Sequence, residues 1–488
     1  MLEHNIISYL QAENFSERPA WRGMVLSDCN GVMTGRAFYA AAASFAARLY
    51  GMGIWNRPVA VKAEHRLETL ILYLGVLLSG NYYIPLAEDM AVGQVQEILE
   101  KTGADGVYTY ADISRTEKMP GPGVMERLRE KRRMLPENAA LYIIFTSGST
   151  GKPKGIVKSH KSMVAFLESF CREFSFSEND VIANQTPFCF DASAKDFYLM
   201  LKYRMDFHII DAGMFFRPME LVRYLNQKRV TVLQWVPSAL SILSQLKAFE
   251  KEKPDYLKKV FFVGETFQVG QLRYWMEYLP DTVFVNLYGA SEMAGVCAFF
   301  RIPDNWEGDS IPIGKALLGQ KIYLVSEGKE ITKPGEIGEI CLESETLADG
   351  YFSLEQDTKE KFVSSLTDEI AGKRYYHTGD LAKYDDTGNL YFVSRRDFQI
   401  KHMGHRIELG EIEKTAEGLD GVDKVGVVYK CGKICLYYQG DAGRQVLQKH
   451  LKEKLPSYKM PNKIYCLEKL PLNRNGKLDR AALGRIPL

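Results

Sequence analysis

Ten residues, Thr146 to Gly155 in the order TSGSTGKPKG, follow directly on the apolar run LYIIF of Leu141 to Phe145. Thr146, Ser147, Ser149 and Thr150 supply hydroxyls, Gly148 and Gly151 leave backbone N–H groups open, and Lys152 and Lys154 add cations. Such a set can surround phosphate oxygens. It is not a Walker loop. Only Ser149 and Thr150 separate Gly148 from Gly151, and Pro153 stands after Lys152 where that loop needs Ser or Thr. A surface hairpin is the other use of such a segment. The eight histidines show no catalytic pairing, and His402 and His405 straddle a glycine turn without a third metal ligand.

Four more segments share the chain with this loop: NLYGASE (Asn286 to Glu292), HTGDLAKYDDTGNLYFVSRRD (His377 to Asp397), QIKHMGHRIELGEIE (Gln399 to Glu413) and LPLNRNGKLDR (Leu470 to Arg480). In order and spacing the five resemble the motifs of the adenylate-forming superfamily: acyl-CoA synthetases, luciferases and the adenylation domains of nonribosomal peptide synthetases. The resemblance implies ATP and Mg²⁺ as cofactors. Glu292 would take the magnesium, a hard cation that prefers one or two protein oxygens beside phosphate; a surface carboxylate is the alternative. Tyr288 would stack on adenine, or simply pack in the core. Gly264 and Ser291 would flank the nucleotide. Asp380 would accept both ribose hydroxyls with Arg395 helping, and an exposed salt bridge is the other reading of that pair. Lys477, in the NGK turn, would be the mobile catalytic lysine that meets the substrate carboxylate and the ATP α-phosphate. Asp397 would be the hinge of a small mobile domain. Gly404 would line the passage for a pantetheine thiol, or be an ordinary turn glycine.

The stretch QTPFCFDASAKDFY (Gln185 to Tyr198) resembles the substrate motif of amino-acid adenylation domains. There an acid at the position of Asp191 pairs with the substrate ammonium, a charge-assisted contact; a turn-capping Asp is the alternative. The family's pocket positions fall on Asp191, Ala192, Lys195, Gln234, Phe261, Val263, Leu287, Gly295 and Val296, with Lys477 closing the pocket. Asp-Ala-Lys resembles pockets for glutamate, and a buried Lys195 needs an anionic partner. Pairing with Asp196 or pointing outward are its other uses. Phe261 and Leu287 shrink the pocket toward a small α- or β-amino acid. Two departures from the family pattern, Ala290-Ser291 for Pro-Thr and Ser394 for glycine, remove no charged group.

The elements that must hold these residues are legible as alternating runs. VAVKA (Val59 to Ala63) reads as a strand, Glu64 to Ser79 as a buried helix, and YYIPL (Tyr82 to Leu86) as a strand. FHIID, VTVLQWV, VFFVG and VFVNLYG repeat the theme between helical runs such as LVRYLNQK, which is the pattern of a doubly wound α/β core. After Ile302, short strands with Gly and Asp/Asn turns predict a β-rich subdomain. The expected division is a core over residues 1–396 and a small mobile α+β lid over 397–488.

The 488 residues carry 62 Lys+Arg against 61 Asp+Glu, with 46% hydrophobic residues. A +1 balance lacks the basic face of a nucleic-acid binder. The apolar stretch Leu67 to Leu78 is shorter than the ~20 residues a membrane span needs. Eight scattered cysteines and an N-terminus without a secretory pattern predict a reduced cytoplasmic protein. The sequence therefore predicts activation of an amino acid as its adenylate, then transfer to the phosphopantetheine of a carrier protein. That carrier is expected in trans, because no carrier follows the catalytic turn before Leu488, as in the D-alanine–carrier protein ligases the chain resembles. An acyl- or aryl-CoA ligase and a silent nucleotide-binding scaffold are the rival readings.

Overall fold

The computed structural model describes residues 5–10, 23–113, 118–136, 138–146, 153–396, 399–402, 405–471 and 478–487. Among these the chain forms two compact units. The first comprises Met1–Glu88, Leu99–Ile144 and Gly155–Arg396; the second comprises Asp89–Ile98, Phe145–Lys154 and Asp397–Leu488.

A nine-stranded sheet dominates the first unit. Its parallel strands lie in the order Val283–Tyr288, Lys259–Val263, Val232–Trp235, Val181–Asn184, Asp206–Ile209 and Val25–Asp28, with antiparallel strands at both edges. Parallel strands are covered on both faces, so they read as continuous apolar runs. Leu233, Trp235, Val260 and Phe262 enter one buried cluster, while Val232, Phe261, Val285 and Leu287 enter another. The period of two thus sends alternate residues into opposite layers.

A second, six-stranded sheet holds Tyr82–Leu86, Pro58–Lys62, Ala140–Thr146 and Lys154–Ser159. Every residue of the helix Leu67–Leu78 is buried. It begins three residues after the predicted start because Arg66 is extended and the Asp28 carboxylate caps the Leu67 N–H at 2.9 Å. Its Gly75 lies so close to the helix Gly35–Gly51 that a β-carbon there would sit 2.8 Å from the Ala42 carbonyl oxygen.

The β-rich segment is an antiparallel sheet built around the long strand Ala371–Tyr384, which pairs with Ile337–Glu343, Phe362–Ser365 and Leu390–Arg395. In the second unit, the strands Val422–Lys430, Lys433–Gly440 and Lys463–Cys466 form a three-stranded sheet. The helices Leu409–Glu417 and Arg444–Lys454 bury Ile412, Leu447 and Leu451 with Val427 and Leu436 of that sheet. Mixed α/β architecture, with a large and a small unit, is the fold class the sequence predicts. No described helix is long and apolar enough to cross a membrane.

Candidate active site

The tight turn Asp385–Gly388 joins the two strands that carry Asp380 and Arg395. The Asp385 carboxylate accepts the N–H groups of Thr387 (2.9 Å) and Asn389 (2.8 Å), and Gly388 takes a positive φ of 77°. This turn sets the register from Tyr384 to Ala382, and a bulge between Ala382 and Leu381 then shifts the pairing by one residue, which places Asp380 opposite Arg395. Arg395 Nη1 donates to Asp380 Oδ1, and its Nη2 donates to the Thr378 carbonyl at 3.2 Å. Tyr288, at the carboxyl end of its strand, donates its hydroxyl to Asp380 Oδ2. The pair is buried, with side chains 13% and 5% exposed for Arg395 and Asp380, which excludes the exposed salt bridge. Burial, with Asp380 beside it, raises the Tyr288 phenol well above its ordinary range, so it stays a donor. Each carboxylate oxygen has a second lone pair, so Asp380 can still accept further hydroxyls.

A residue that sequence reasoning missed braces this strand. Glu339 Oε1 accepts the Gly379 N–H at 2.9 Å, while its Oε2 meets Arg396 at 2.8 Å and His377 Nδ1 at 3.3 Å. Burial alone would raise the carboxyl, but hydrogen bonds from His377 and Arg396 outweigh it and bring it down to about 2. Cys341 Sγ completes a compact Glu–Cys–His group whose ligand atoms lie within 4.8 Å of one another. A lowered carboxyl stabilises the fold above its ordinary value of 4.5, and that contribution disappears as pH falls toward 2. Glu339→Gln is therefore expected to lower thermal stability at neutral pH and to flatten its fall across that acid range. Unfolding temperatures followed from pH 7 downward check this.

Glu292 lies four residues past the end of its strand rather than on it, because the strand stops at Tyr288. Gly289 to Gly295 double back so closely that a β-carbon on Gly295, where φ is 68°, would lie 2.2 Å from the Phe166 ring. Only glycine fits there. This loop buries Glu292 to 1% exposure, and the Tyr351 hydroxyl donates to its Oε1 at 3.0 Å. A hard carboxylate oriented in this way fits a divalent cation such as magnesium, and it is not a surface group.

The third constellation surrounds Asp191, at the start of a short turn that leads into the helix Ala194–Tyr203. Its Oδ1 accepts the Tyr142 hydroxyl at 2.6 Å, and its Oδ2 meets Lys158 Nζ at 3.2 Å. One turn along the helix, Lys195 is 2% exposed and donates to the Ala192 carbonyl at 2.8 Å, so it does not point outward. Asp196 accepts from Asn184 at 2.7 Å through one oxygen, and no described group donates to the other. Burial raises its carboxyl to about 7 against the opposing pull of Lys195. Both amide atoms of Gln234 are buried without a described partner, at the carboxyl end of a parallel strand. Phe261, Leu287 and Val296 are buried, while Ala192, Val263 and Gly295 are half-buried.

Of the phosphate loop, Thr146 ends one strand and Lys154 begins another, and Ser291 is half-buried. Gly264 follows its strand at a φ of 98°. Ser147, Gly148, Ser149, Thr150, Gly151, Asp397, Gly404 and Lys477 lie outside the described residues. The structure thus brings Tyr288, Asp380 and Arg395 into direct contact and encloses Glu292 and Asp191 in the same unit. Lys158, Tyr142, Tyr351 and Glu339 are additions. Lys158 had one visible signal: it shares a strand face with the buried Ile156, where a lysine is out of place.

Residues 10–352 match the family described as AMP-binding enzyme, and the chain belongs to that family. That match places it in the adenylate-forming superfamily. Zwittermicin A synthase ZmaJ of Bacillus cereus is 30% identical over 452 residues, covering 87% of this chain and 85% of that protein. One of the plipastatin synthase subunits of Bacillus subtilis (strain 168) is 29% identical over 494 residues, covering 98% of this chain. The chain spans only 14% of that long protein, and 18% of each of two further plipastatin synthase subunits. Among solved structures, the Vibrio cholerae adenylation domain AlmE in complex with glycyl-adenosine-5'-phosphate superposes with a TM-score of 0.84 at 21% identity, covering 99% of this chain and 96% of that one. PA1221, an NRPS protein containing adenylation and PCP domains, gives 0.81 at 24% identity, covering 98% and 84%. At these identities the structural matches carry the fold alone.

Proposed function

We propose that the chain condenses an amino acid with ATP to an aminoacyl-adenylate and pyrophosphate, then passes the acyl group to the phosphopantetheine thiol of a separate carrier protein. The observation that carries this reading is the buried Tyr288–Asp380–Arg395 contact, a ready acceptor for a ribose diol in the same unit as the enclosed Glu292. Tyr288 presents its ring to adenine, with Gly264 and Ser291 beside the nucleotide and Thr146 to Gly151 and Lys154 on the phosphates. Glu292 would hold magnesium, which when bound draws charge off the phosphate oxygens. Asp191, Ala192, Lys195, Gln234, Phe261, Val263, Leu287, Gly295 and Val296 line the acid pocket. Lys195 and the unpartnered amide of Gln234 supply donors for a side-chain carboxylate, so an acidic amino acid fits this pocket, while Phe261 and Leu287 keep it small.

The substrate carboxylate attacks the α-phosphorus, and Lys477 stabilises the charge gathering on the phosphoryl oxygens. Residues 397–488 are the mobile domain, with Asp397 as its hinge and Gly404 on the thiol's path. A lid that turns after the first step shields the adenylate from water before the thiol arrives. PA1221 is an NRPS protein that contains adenylation and PCP domains, and that pairing supports a carrier as acceptor.

The decisive experiment is ATP–pyrophosphate exchange with an amino-acid panel, followed by incubation with either holo-carrier protein or CoA. Exchange followed by carrier acylation is the expected result. Efficient CoA ester formation would move the acceptor to CoA, and no exchange with any acid would leave a nucleotide-binding scaffold.

A further inference from the structure

An ammonium recognised by a buried carboxylate needs that carboxylate to be available. Asp191 already has a cation. Lys158 rises from the strand Lys154–Ser159 with its side chain wholly buried, and its Nζ lies 3.2 Å from Asp191 Oδ2. The same ammonium donates to the Met293 carbonyl, beside Glu292. The other oxygen of Asp191 is taken by Tyr142 at 2.6 Å. Desolvation works against the charge on Lys158, and Asp191 is the largest influence that restores it. The buried ammonium of Lys158 thus leans on the Asp191 carboxylate first and on Glu292 second.

A substrate ammonium placed on Asp191 would meet Lys158 as a like charge inside a site of low dielectric. A neutral hydroxyl in the same place meets no such repulsion. It can donate to Asp191, whose side chain is 12% exposed, while the wholly buried Lys158 keeps its place.

Given that Asp191 lines the acid pocket, we propose that Lys158 is a specificity-determining residue that opens this pocket to 2-hydroxy acids as readily as to 2-amino acids. The lysine competes with the substrate ammonium for Asp191, so the enzyme forgoes the discrimination that an unshared carboxylate would provide. Lys195 does not play this part. It bonds to the Ala192 carbonyl one turn away.

The test is pyrophosphate exchange with matched sets on the wild-type chain: alanine against lactate, and glutamate against 2-hydroxyglutarate. In the set that is activated, the two kcat/KM values are expected to lie within tenfold. An amino-acid preference above tenfold overturns the proposal while leaving adenylation intact. Lys158→Met keeps the length and removes the charge. It is expected to shift the ratio at least tenfold toward the amino acid, mainly through KM, and an unchanged ratio overturns the proposal. Should this variant not fold, calorimetric binding of aminoacyl- and 2-hydroxyacyl-sulfamoyladenosine to the wild type decides on the same tenfold criterion. Should neither set be activated, the same comparison is made between whichever amino acid of the full panel is activated and its 2-hydroxy analogue; no exchange with any acid of the panel or its analogues overturns the adenylation reading itself, and this inference with it.

Discussion

Lys477→Ala is expected to cut acid-dependent pyrophosphate exchange by about 10²–10³-fold, the usual cost of removing one group that stabilises transition-state charge. In the proposed first step a carboxylate oxygen bonds to phosphorus while pyrophosphate leaves. Negative charge gathers on the phosphoryl oxygens, and a cation held there lowers the barrier more than it improves binding. The loss should therefore fall on kcat, with the KM for ATP and for the acid changing little. Lys477 stands in the polar run Asn473 to Lys477, whose sequence holds no apolar side chain, so thermal unfolding of the alanine variant should match the wild type. Normal first-step turnover in a folded Lys477→Ala protein would remove this residue from the mechanism. Lys477→Arg keeps the charge but alters its shape and reach, and should recover only part of the rate.

Much of the scaffold was legible because it rests on local rules. The strands predicted at Val59, Tyr82, Leu141, Val260 and Val283 all appear with ends shifted by at most a residue or so, since apolar runs bounded by Gly or polar turns leave little choice of element. The hairpin that carries Asp380 and Arg395 was also within reach, since DDTGN announces a tight turn, but that turn's register alone would set Asp380 opposite Ser394, and the bulge that brings Arg395 there has no signature in the sequence.

Contacts that were not legible depend on the packing of distant elements. Lys158 and Asp191 are 33 residues apart, and Tyr351 and Glu292 are 59 apart, with no hairpin linking either pair. Glu339 reads as one more carboxylate in a strand until its antiparallel neighbours bring His377 and Arg396 to it. The burial of Glu292 was hidden for a related reason. The strand's hydrophobic pattern ends at Tyr288, and only the close passage of Phe166 past Gly295 shows that the loop must turn back and bury the carboxylate.

Asp380→Ala is expected to damage both stability and nucleotide binding, and the two effects can be separated. Asp380 is the carboxylate placed against the Arg395 guanidinium, and it also accepts the Tyr288 hydroxyl. Removing it takes the counter-ion from a largely buried cation, a change that costs about 3–5 kcal/mol. Loss of the acceptor for the neutral Tyr288 hydroxyl adds to that cost. On the proposed role, the same substitution removes the acceptor for the ribose hydroxyls, so the KM for ATP should rise at least about tenfold while the KM for the acid changes less. Asp380→Asn divides the two consequences. The amide oxygen can still accept one hydrogen bond, but the charge that balances Arg395 is gone. Its unfolding temperature should lie between those of the wild type and the alanine variant, while its KM for ATP should stay close to that of the alanine variant if ribose binding needs the full carboxylate. A purely structural Asp380 would lower the unfolding temperature of both variants without moving the KM for ATP below the melting range. Nucleotide titrations well under that temperature therefore distinguish a residue that holds ribose from one that only neutralises an arginine.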